Sequence, residues 1–93
     1  MEYRDRVLDG MIAALSDDDP CVRSGAADIL KAMGSTRAVD SLISSLNDED
    51  AKVRAKARLA LVTITGVAFG MDSEVWFEWW NEHRDQHKEV GPD

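Results

Sequence analysis

The segment Arg37–Leu61, RAVDSLISSLNDEDAKVRAKARLAL, decides the fold because a related segment, RVLDGMIAALSDDDPCVRSGAADIL, lies 31 residues earlier at Arg6–Leu30. Unrelated segments of this length would match at about one or two positions. Self-similarity at a fixed period indicates a repeat architecture, in which each unit buries its apolar face against a neighbour. This pattern favours binding over catalysis. Ten of the 25 aligned positions are identical: Arg6/Arg37, Asp9/Asp40, Ile12/Ile43, Leu15/Leu46, Asp17/Asp48, Asp19/Asp50, Val22/Val53, Arg23/Arg54, Ala26/Ala57 and Leu30/Leu61.

Capping residues divide the repeated region into four helices, the first of which runs over about residues 4–15. An Asp at the N-cap accepts hydrogen bonds from free amides, and a Pro at the first helical position loses none. A Gly after the last turn ends a helix. These signals stand at Asp19-Pro20, at Gly34, at Ser35 or Thr36, and at Asp50.

Apolar residues recur at helical spacing in all four helices, and we expect them to point inward. Because only two to four residues join successive helices, neighbouring helices must pack antiparallel. The sequence therefore predicts an all-α fold, an α-solenoid fragment of about two and a half helix pairs. The inward residues are Val7, Leu8, Met11, Ile12 and Leu15 in the first helix; Val22, Ala26, Ile29, Leu30 and Met33 in the second; Ala38, Val39, Leu42, Ile43 and Leu46 in the third; and Val53, Ala57, Ala60, Leu61 and Ile64 in the fourth.

The repeat fails at residues 66–72, and a fifth helix is expected from about Ser73 to about His87. A solenoid end exposes apolar surface that must be covered. We therefore expect a tryptophan-rich cap on the fourth helix, formed by one side of the last helix with Val75, Trp76, Trp79, Trp80 and His83. If Phe77 and Trp80 are exposed instead, they form a secondary apolar contact for dimerisation or docking.

The polar positions of the repeat carry a family resemblance. The string Asp-x4-Val-Arg-x2-Ala-x3-Leu begins at Asp17 and again at Asp48, and it resembles the HEAT repeat. Its closest subtype is the short HEAT-like repeat named after phycobilisome bilin lyases, and the likeness covers about residues 4–66. The ending ITGVAFGMDSEVWFEWW (residues 64–80) is similar to a C-terminal cap, ITGxxFGxDxxxWxxWW, of some such proteins.

The resemblance implies a scaffold or binding module that uses its inner layer of helices as a contact surface. Some members of the lyase subtype help to attach bilin chromophores. Two Asp/Arg sets, Asp17 with Arg23 and Asp48 with Arg54, are expected to bridge within or between repeats and to fix their stacking.

The predicted partner-binding surface is the face of the first and third helices opposite the apolar stripe. Small residues there leave the backbone accessible, and Arg6/Asp9 and Arg37/Asp40 suggest repeated i,i+3 ion pairs. A plain solvated face would show the same pattern, so both interpretations stay open. The predicted binding residues are Arg6, Asp9, Gly10, Ala13, Arg37, Asp40, Ser41 and Ser44.

Composition disfavours several other classes of function. A net charge of −7 argues against nucleic-acid binding, with the basic flank Lys52–Arg58 as a local exception. No stretch approaches the roughly 20 apolar residues of a membrane span, and the charged N-terminus does not resemble a signal peptide. The lone Cys21 fits a cytoplasmic location. His83 and His87 lack further ligands for a metal, so neither a metal nor a cofactor is expected.

These features together predict a non-enzymatic protein–protein interaction or scaffold module in a single domain over residues 1–88. Residues 89–93 are expected to form a disordered tail. The partner is another protein of unknown identity, and a weak homodimer is an alternative. Two further functions stay open: an accessory subunit of a bilin-lyase-like chromophore attachment system, and a self-assembling structural subunit.

Overall fold

The computed structural model describes residues 3–87, with side chains described for residues 3–86. No strand occurs in this range, and the predicted all-α architecture of five helices is confirmed. Short 3-10 turns, Thr36–Ala38 and Arg84–His87, precede the third helix and follow the fifth. The helices are α1 (Tyr3–Ala14), α2 (Pro20–Met33), α3 (Val39–Ser45), α4 (Ala51–Thr65) and α5 (Ser73–His83).

The predicted capping residues are confirmed. The Asp19 side chain accepts a hydrogen bond from the Cys21 amide at the start of α2, and α2 ends at Gly34 in the left-handed conformation with φ of 66°. Asp50 plays the same part for α4 by accepting from two amides of its first turn. These caps satisfy amides and carbonyls that a helix leaves unpaired at its ends, so short turns suffice between the helices.

Two helix pairs stack side by side, with α2 against α4, α1 against α2 and α3 against α4. The core lies between them and is almost entirely aliphatic until α5 adds its tryptophans. Alanines at the α2–α4 contact let the two backbones approach closely. The buried apolar residues are Leu8, Leu15, Ala26, Ala27, Leu30, Ala38, Val39, Leu42, Ile43, Leu46, Val53, Ala57, Ala60, Leu61, Trp76 and Trp80.

The predicted inward stripe of α2 is wrong at two positions. Val22 is 41% exposed and Ile29 is 45% exposed, whereas their repeat equivalents Val53 and Ala60 are fully buried. The physical reason is stacking order. The second repeat has α2 beside it to cover this side of α4, but within the described residues no helix covers the corresponding side of α2.

The last helix α5 packs mainly on α3, not on the fourth helix as the sequence suggested, and it runs antiparallel to α3. Near the start of α5, the Asn47 side-chain amide donates to the Ser73 hydroxyl (3.0 Å), and just beyond its end Arg84 pairs with Asp40 (3.2 Å). Because Asp40 lies at the start of α3 and Asn47 follows its end, the two helices point in opposite directions. A continued repeat would place like helices parallel, so α5 is a cap and not a third repeat unit.

Trp76 anchors this cap. Its side chain is fully buried, its indole N–H donates to the Gly70 carbonyl (2.8 Å), and Phe69 packs edge-on against its ring (5.0 Å between centroids). Trp80 is also buried, while Trp79 is half-buried at the rim. Val75, which was expected on the covered side, is 43% exposed.

The conditional apolar contact at Phe77 and Trp80 is not formed. Trp80 is only 4% exposed and Phe77 is half-buried against the core, so the two do not make an exposed patch. Because the Trp80 ring is buried against the core, it offers no surface on which a partner could dock. The predicted disordered tail, residues 89–93, lies outside the described residues.

Candidate functional site

Arg23 and Asp48 join the two repeats through a largely buried bidentate ion pair. The Arg23 Nε donates to Asp48 Oδ2 (2.9 Å) and its Nη2 donates to Asp48 Oδ1 (3.0 Å). The Arg23 Nη1 also donates to the backbone carbonyls of Asp17 (2.8 Å) and Asp18 (3.1 Å) in its own repeat. The guanidinium therefore holds the turn of one repeat and the carboxylate of the next. A bridge of this kind was expected from the sequence, and the structure places it between repeats.

The pair also perturbs the ionisation of both partners. Burial by itself would raise the pKa of Asp48, but hydrogen bonds from Arg23 and from the Asp50 amide hold the pKa of that carboxyl below its usual value. The hydrogen bond to Asp48 raises the pKa of Arg23, although burial acts against it. Both groups thus stay charged near neutral pH, and the contact is held by full charges.

Three further ion pairs lie on the exposed face of α1 and α3. Arg37 pairs with Asp9 (2.6 Å) and with Asp5 (3.4 Å) of the first repeat, while Asp40 pairs with Arg84 beyond α5. The expected i,i+3 pairs within each helix are therefore not the ones formed. Arg37 lies closer to the acids of the preceding repeat, because stacking brings neighbouring helices side by side on this face.

A groove of about 470 Å³ opens between the C-terminal halves of α1 and α3. Half of its lining residues are serines, and the others are the apolar Ile12, Ala13 and Leu15 together with Asp48. The Ser45 hydroxyl donates to the Ser41 carbonyl and is buried, whereas Ser44 is exposed. The lining residues are Ile12, Ala13, Leu15, Ser16, Ser41, Ser44, Ser45 and Asp48.

The structure divides the predicted binding residues into two groups. Ala13, Ser41 and Ser44 line the groove. The second group lies toward the other end of the same face and is exposed; three of its members hold the ion pairs described above. That group consists of Arg6, Asp9, Gly10, Arg37 and Asp40.

Sequence reasoning missed six residues of this face: Asp5, which pairs with Arg37, and Ile12, Leu15, Ser16, Ser45 and Asp48, which line the groove. Ile12 was assigned to the core because it lies on the apolar stripe, yet it is half-buried and contributes both to the core and to the groove. A serine-rich run, SLISS at residues 41–45, was the available signal.

Other sites receive no support from the part of the chain that the structure describes. Within it, no three His, Cys, Asp or Glu side chains lie together so as to hold a metal ion. The Nδ1–H of His83 donates to the Trp79 carbonyl (2.8 Å) and the imidazole stacks on the Trp79 ring, so His83 belongs to the cap. None of the helices between residues 3 and 87 is long and apolar enough to cross a membrane.

The comparison with protein families identifies the repeat. The family model described as HEAT repeats matches residues 2–65, more than half of the chain. The chain belongs to the HEAT-repeat family. No curated protein and no solved structure matches it significantly. HEAT repeats generally mediate contacts between proteins and are typically not enzymes, and the stacked helix pairs of this chain fit that role.

Proposed function

We propose that this HEAT-repeat chain is a non-enzymatic protein-binding module whose contact surface is the exposed face of α1 and α3. The observation that carries the proposal is the groove between these helices. It lies where the repeat stacking leaves two helices side by side without a covering element from residues 3–86. Binding would extend from the groove toward Gly10 and the paired charges of Asp9 and Arg37.

The chemistry of the groove favours a polar loop or an extended peptide as the bound segment. Small-molecule pockets are lined mainly by apolar and aromatic side chains. Here, serines such as Ser41 and Ser44 supply half of the lining residues, and Ile12 belongs to the smaller apolar part. Serine hydroxyls both donate and accept, so they can satisfy the backbone groups of a bound segment. The net charge of −7 also favours a partner with basic side chains.

Affinity for such a partner should be modest. The groove is short, and the surrounding ion pairs are exposed, a class of interaction worth about 0–1 kcal/mol each. Small contact areas of this kind are typical of transient complexes. The module would therefore recruit a partner reversibly.

Site-specific photo-crosslinking tests this proposal. A photoreactive amino acid replaces Ala13 or Ser44 in the groove, or Ala55 on the opposite layer of helices as the matched control, since all three are exposed helical positions. We expect one protein adduct of the same mass from Ala13 and Ser44 and none from Ala55. Adducts formed only from Ala55 would contradict the assignment of the binding face.

A blocking variant provides the second arm. Ser44→Arg fills the groove with a large cation, and Ala55→Arg places the same cation at an exposed position on the opposite layer of helices. The first variant should abolish the Ala13 adduct, and the second should leave it intact. Asp40 is unsuitable for this purpose because it pairs with Arg84, so its substitution would also disturb the cap.

The bilin-lyase alternative leads to a different experiment. An accessory of chromophore attachment should bind a bilin, and titration of the purified chain with a bilin would then shift the absorption band of the pigment. The groove offers hydroxyls and apolar side chains but lacks the aromatic walls expected for a conjugated pigment. The protein-binding role therefore has the better support. The cytoplasmic location also remains a prediction from Cys21.

A further inference from the structure

The two ends of the repeat stack carry unmatched halves of the contact that joins the repeats. Inside the molecule, the guanidinium of Arg23 holds the carboxylate of Asp48. One repeat later, Arg54 occupies the position of Arg23, and one repeat earlier, Asp17 occupies the position of Asp48. The C-terminal end of the stack therefore presents the donor, and the N-terminal end presents the acceptor.

Arg54 is held in the same orientation as its internal counterpart. Its Nη1 donates to the carbonyls of Asp48 (2.7 Å) and Glu49 (3.1 Å), just as Arg23 Nη1 donates to two turn carbonyls. The Nε and Nη2 groups of Arg54, which in Arg23 bind a carboxylate, make no hydrogen bond to the residues that the structure describes. The side chain is thus positioned in advance for a bidentate acceptor.

Asp17 is likewise held as Asp48 is held. In each turn the Oδ1 atom accepts from the amide two residues later, at 2.9 Å, from Asp19 in the first repeat and from Asp50 in the second. The difference lies in the second contact. The carboxylate of Asp48 is paired with a guanidinium, whereas Asp17 is exposed.

The apolar residues of the two ends match in the same register. Val53 and Ala60 are fully buried on α4, the helix that packs against α2, while their equivalents Val22 and Ile29 are 41% and 45% exposed on α2. These two side chains lie on the side of α2 that a helix equivalent to α4, from an adjoining repeat, would cover. The surface therefore continues an interface that is already formed inside the molecule.

One ion pair of the internal contact would be replaced by two nonpolar residues in a contact between the ends of two copies. Inside the molecule, Lys56 of α4 pairs with Asp28 of α2 (3.3 Å). In a contact between ends, Gly25 would take the place of Lys56, and Leu59 would take the place of Asp28. Leu59 is 43% exposed, and the Cβ position of Gly25 meets no atom within 4 Å, so the leucine has room beside the glycine.

We propose that a second copy of this chain docks head to tail, with α2 of one copy against α4 of the other. The contact consists of Asp17, Val22, Gly25 and Ile29 on one copy facing Arg54 and Leu59 on the next. It is independent of the α1–α3 groove and leaves that groove free. The segment after α4 covers Arg58, whose Nε donates to the Phe69 carbonyl (2.8 Å), and α5 already packs on α3. The contact is therefore limited to α2 against α4 and is smaller than the internal one.

Such an interface is heterologous and leaves one free donor end and one free acceptor end on each assembly, so association continues beyond a dimer. The net charge of −7 opposes it at low ionic strength. We therefore choose about 0.15 M salt, where repulsion beyond roughly 8 Å is screened. Sedimentation equilibrium of the full chain from about 10 µM to about 1 mM, the range of weak complexes, should show a mean mass that rises with concentration above the 10.3 kDa monomer.

A pair of equally exposed side chains tests the surface. Leu59→Gln should reduce the association constant by about tenfold or more, the equivalent of about 1.4 kcal/mol. Val75→Gln on α5 is the matched control, because Val75 is also 43% exposed, and it should leave association unchanged. Circular dichroism of both variants verifies that the helices remain folded.

Charge reversal tests the direction of docking. Arg54→Glu alone and Asp17→Arg alone should each weaken self-association by about tenfold or more, because like charges then meet at the contact. An equimolar mixture of the two variants should associate again, since each copy supplies the end that the other lacks. Asp18→Arg changes the same charge on the neighbouring exposed residue and should have no such effect.

Three results would overturn the proposal. The first is a monomeric mass at every concentration. The second is association that persists unchanged in both Leu59→Gln and Arg54→Glu. The third is sensitivity to Asp17→Arg without sensitivity to Arg54→Glu, which would mean that two N-terminal ends meet head to head. None of these results depends on the partner-binding groove, so failure here leaves the proposed function intact.

Discussion

The ion pair between Arg23 and Asp48 should be the polar interaction on which the stacking of the two repeats most depends. We consider Arg23→Ala and compare it with Arg54→Ala. Both arginines donate to two turn carbonyls, but only Arg23 also binds a carboxylate of the other repeat. The difference between the two variants therefore measures the bidentate contact against an internal control of the same chemistry.

The magnitudes follow from burial. The Arg23 and Asp48 side chains are 9% and 11% exposed, so removal of the guanidinium leaves a carboxylate with little access to water. Breaking a buried pair in this way costs about 3–5 kcal/mol. Arg54→Ala removes hydrogen bonds from a half-buried group to carbonyls near solvent and should cost about 1–2 kcal/mol. A chain of 93 residues has a free energy of unfolding of about 5–14 kcal/mol, so the first variant should lose a large part of it.

The assay is urea denaturation followed by circular dichroism, with the free energy of unfolding obtained by linear extrapolation. Asp48→Ala and the double variant Arg23→Ala/Asp48→Ala complete a double-mutant cycle. We expect a coupling energy of about 2–3 kcal/mol, at the upper end for contacting residues. A coupling below about 0.5 kcal/mol, or equal losses for Arg23→Ala and Arg54→Ala, would refute the conclusion that this pair holds the repeats together.

Three further predictions concern the cap, pH and the binding face. Trp76→Ala should cost about 3–5 kcal/mol of unfolding free energy, and Trp79→Ala clearly less, because the first ring is fully buried and the second only half; equal losses in thermal or urea unfolding would contradict this placement. Because the pKa of Asp48 is lowered in the folded state, its ion pair stabilises the fold fully above the unfolded pKa of about 4. This stabilisation decreases as pH falls through the folded pKa. The difference in unfolding free energy between the parent and Asp48→Asn should therefore narrow from pH 6 to about pH 3. Gly10→Ala should raise stability by about 0.5–1 kcal/mol through helix propensity, and a loss in the same measurement would show that Gly10 is tightly packed.

The order of the helices and their ends could be predicted from local chemistry. Asp19, Gly34 and Asp50 act on amides and carbonyls within a few residues of themselves, so their effect does not depend on the rest of the fold. The 31-residue repeat added the stacking of helix pairs, because two copies of one pattern bury the same faces. These features explain why the all-α solenoid was predictable.

The binding face was predictable only in part. Ala13, Ser41 and Ser44 were expected on it, and they line the groove. The partners of Arg37 and Asp40 were not foreseen, because helical spacing shows which residues share a helix face and not which neighbouring helix comes closest. Arg37 reaches Asp9 across the repeat boundary, at a sequence distance that no local pattern encodes.

The sequence by itself determined the helices, their caps and the two stacked repeats, because these depend on local hydrogen bonds and on the period of apolar residues. Tertiary structure decided which sides of those helices are covered. Val22 and Val53 have the same identity and the same place in the repeat, yet one is exposed and the other is buried. The physical reason is that burial depends on the neighbouring helix. A helix at the end of the repeat stack has a different neighbour from a helix inside it. For the same reason Arg23 is paired and Arg54 presents an open guanidinium, which is the difference from which the head-to-tail contact was inferred.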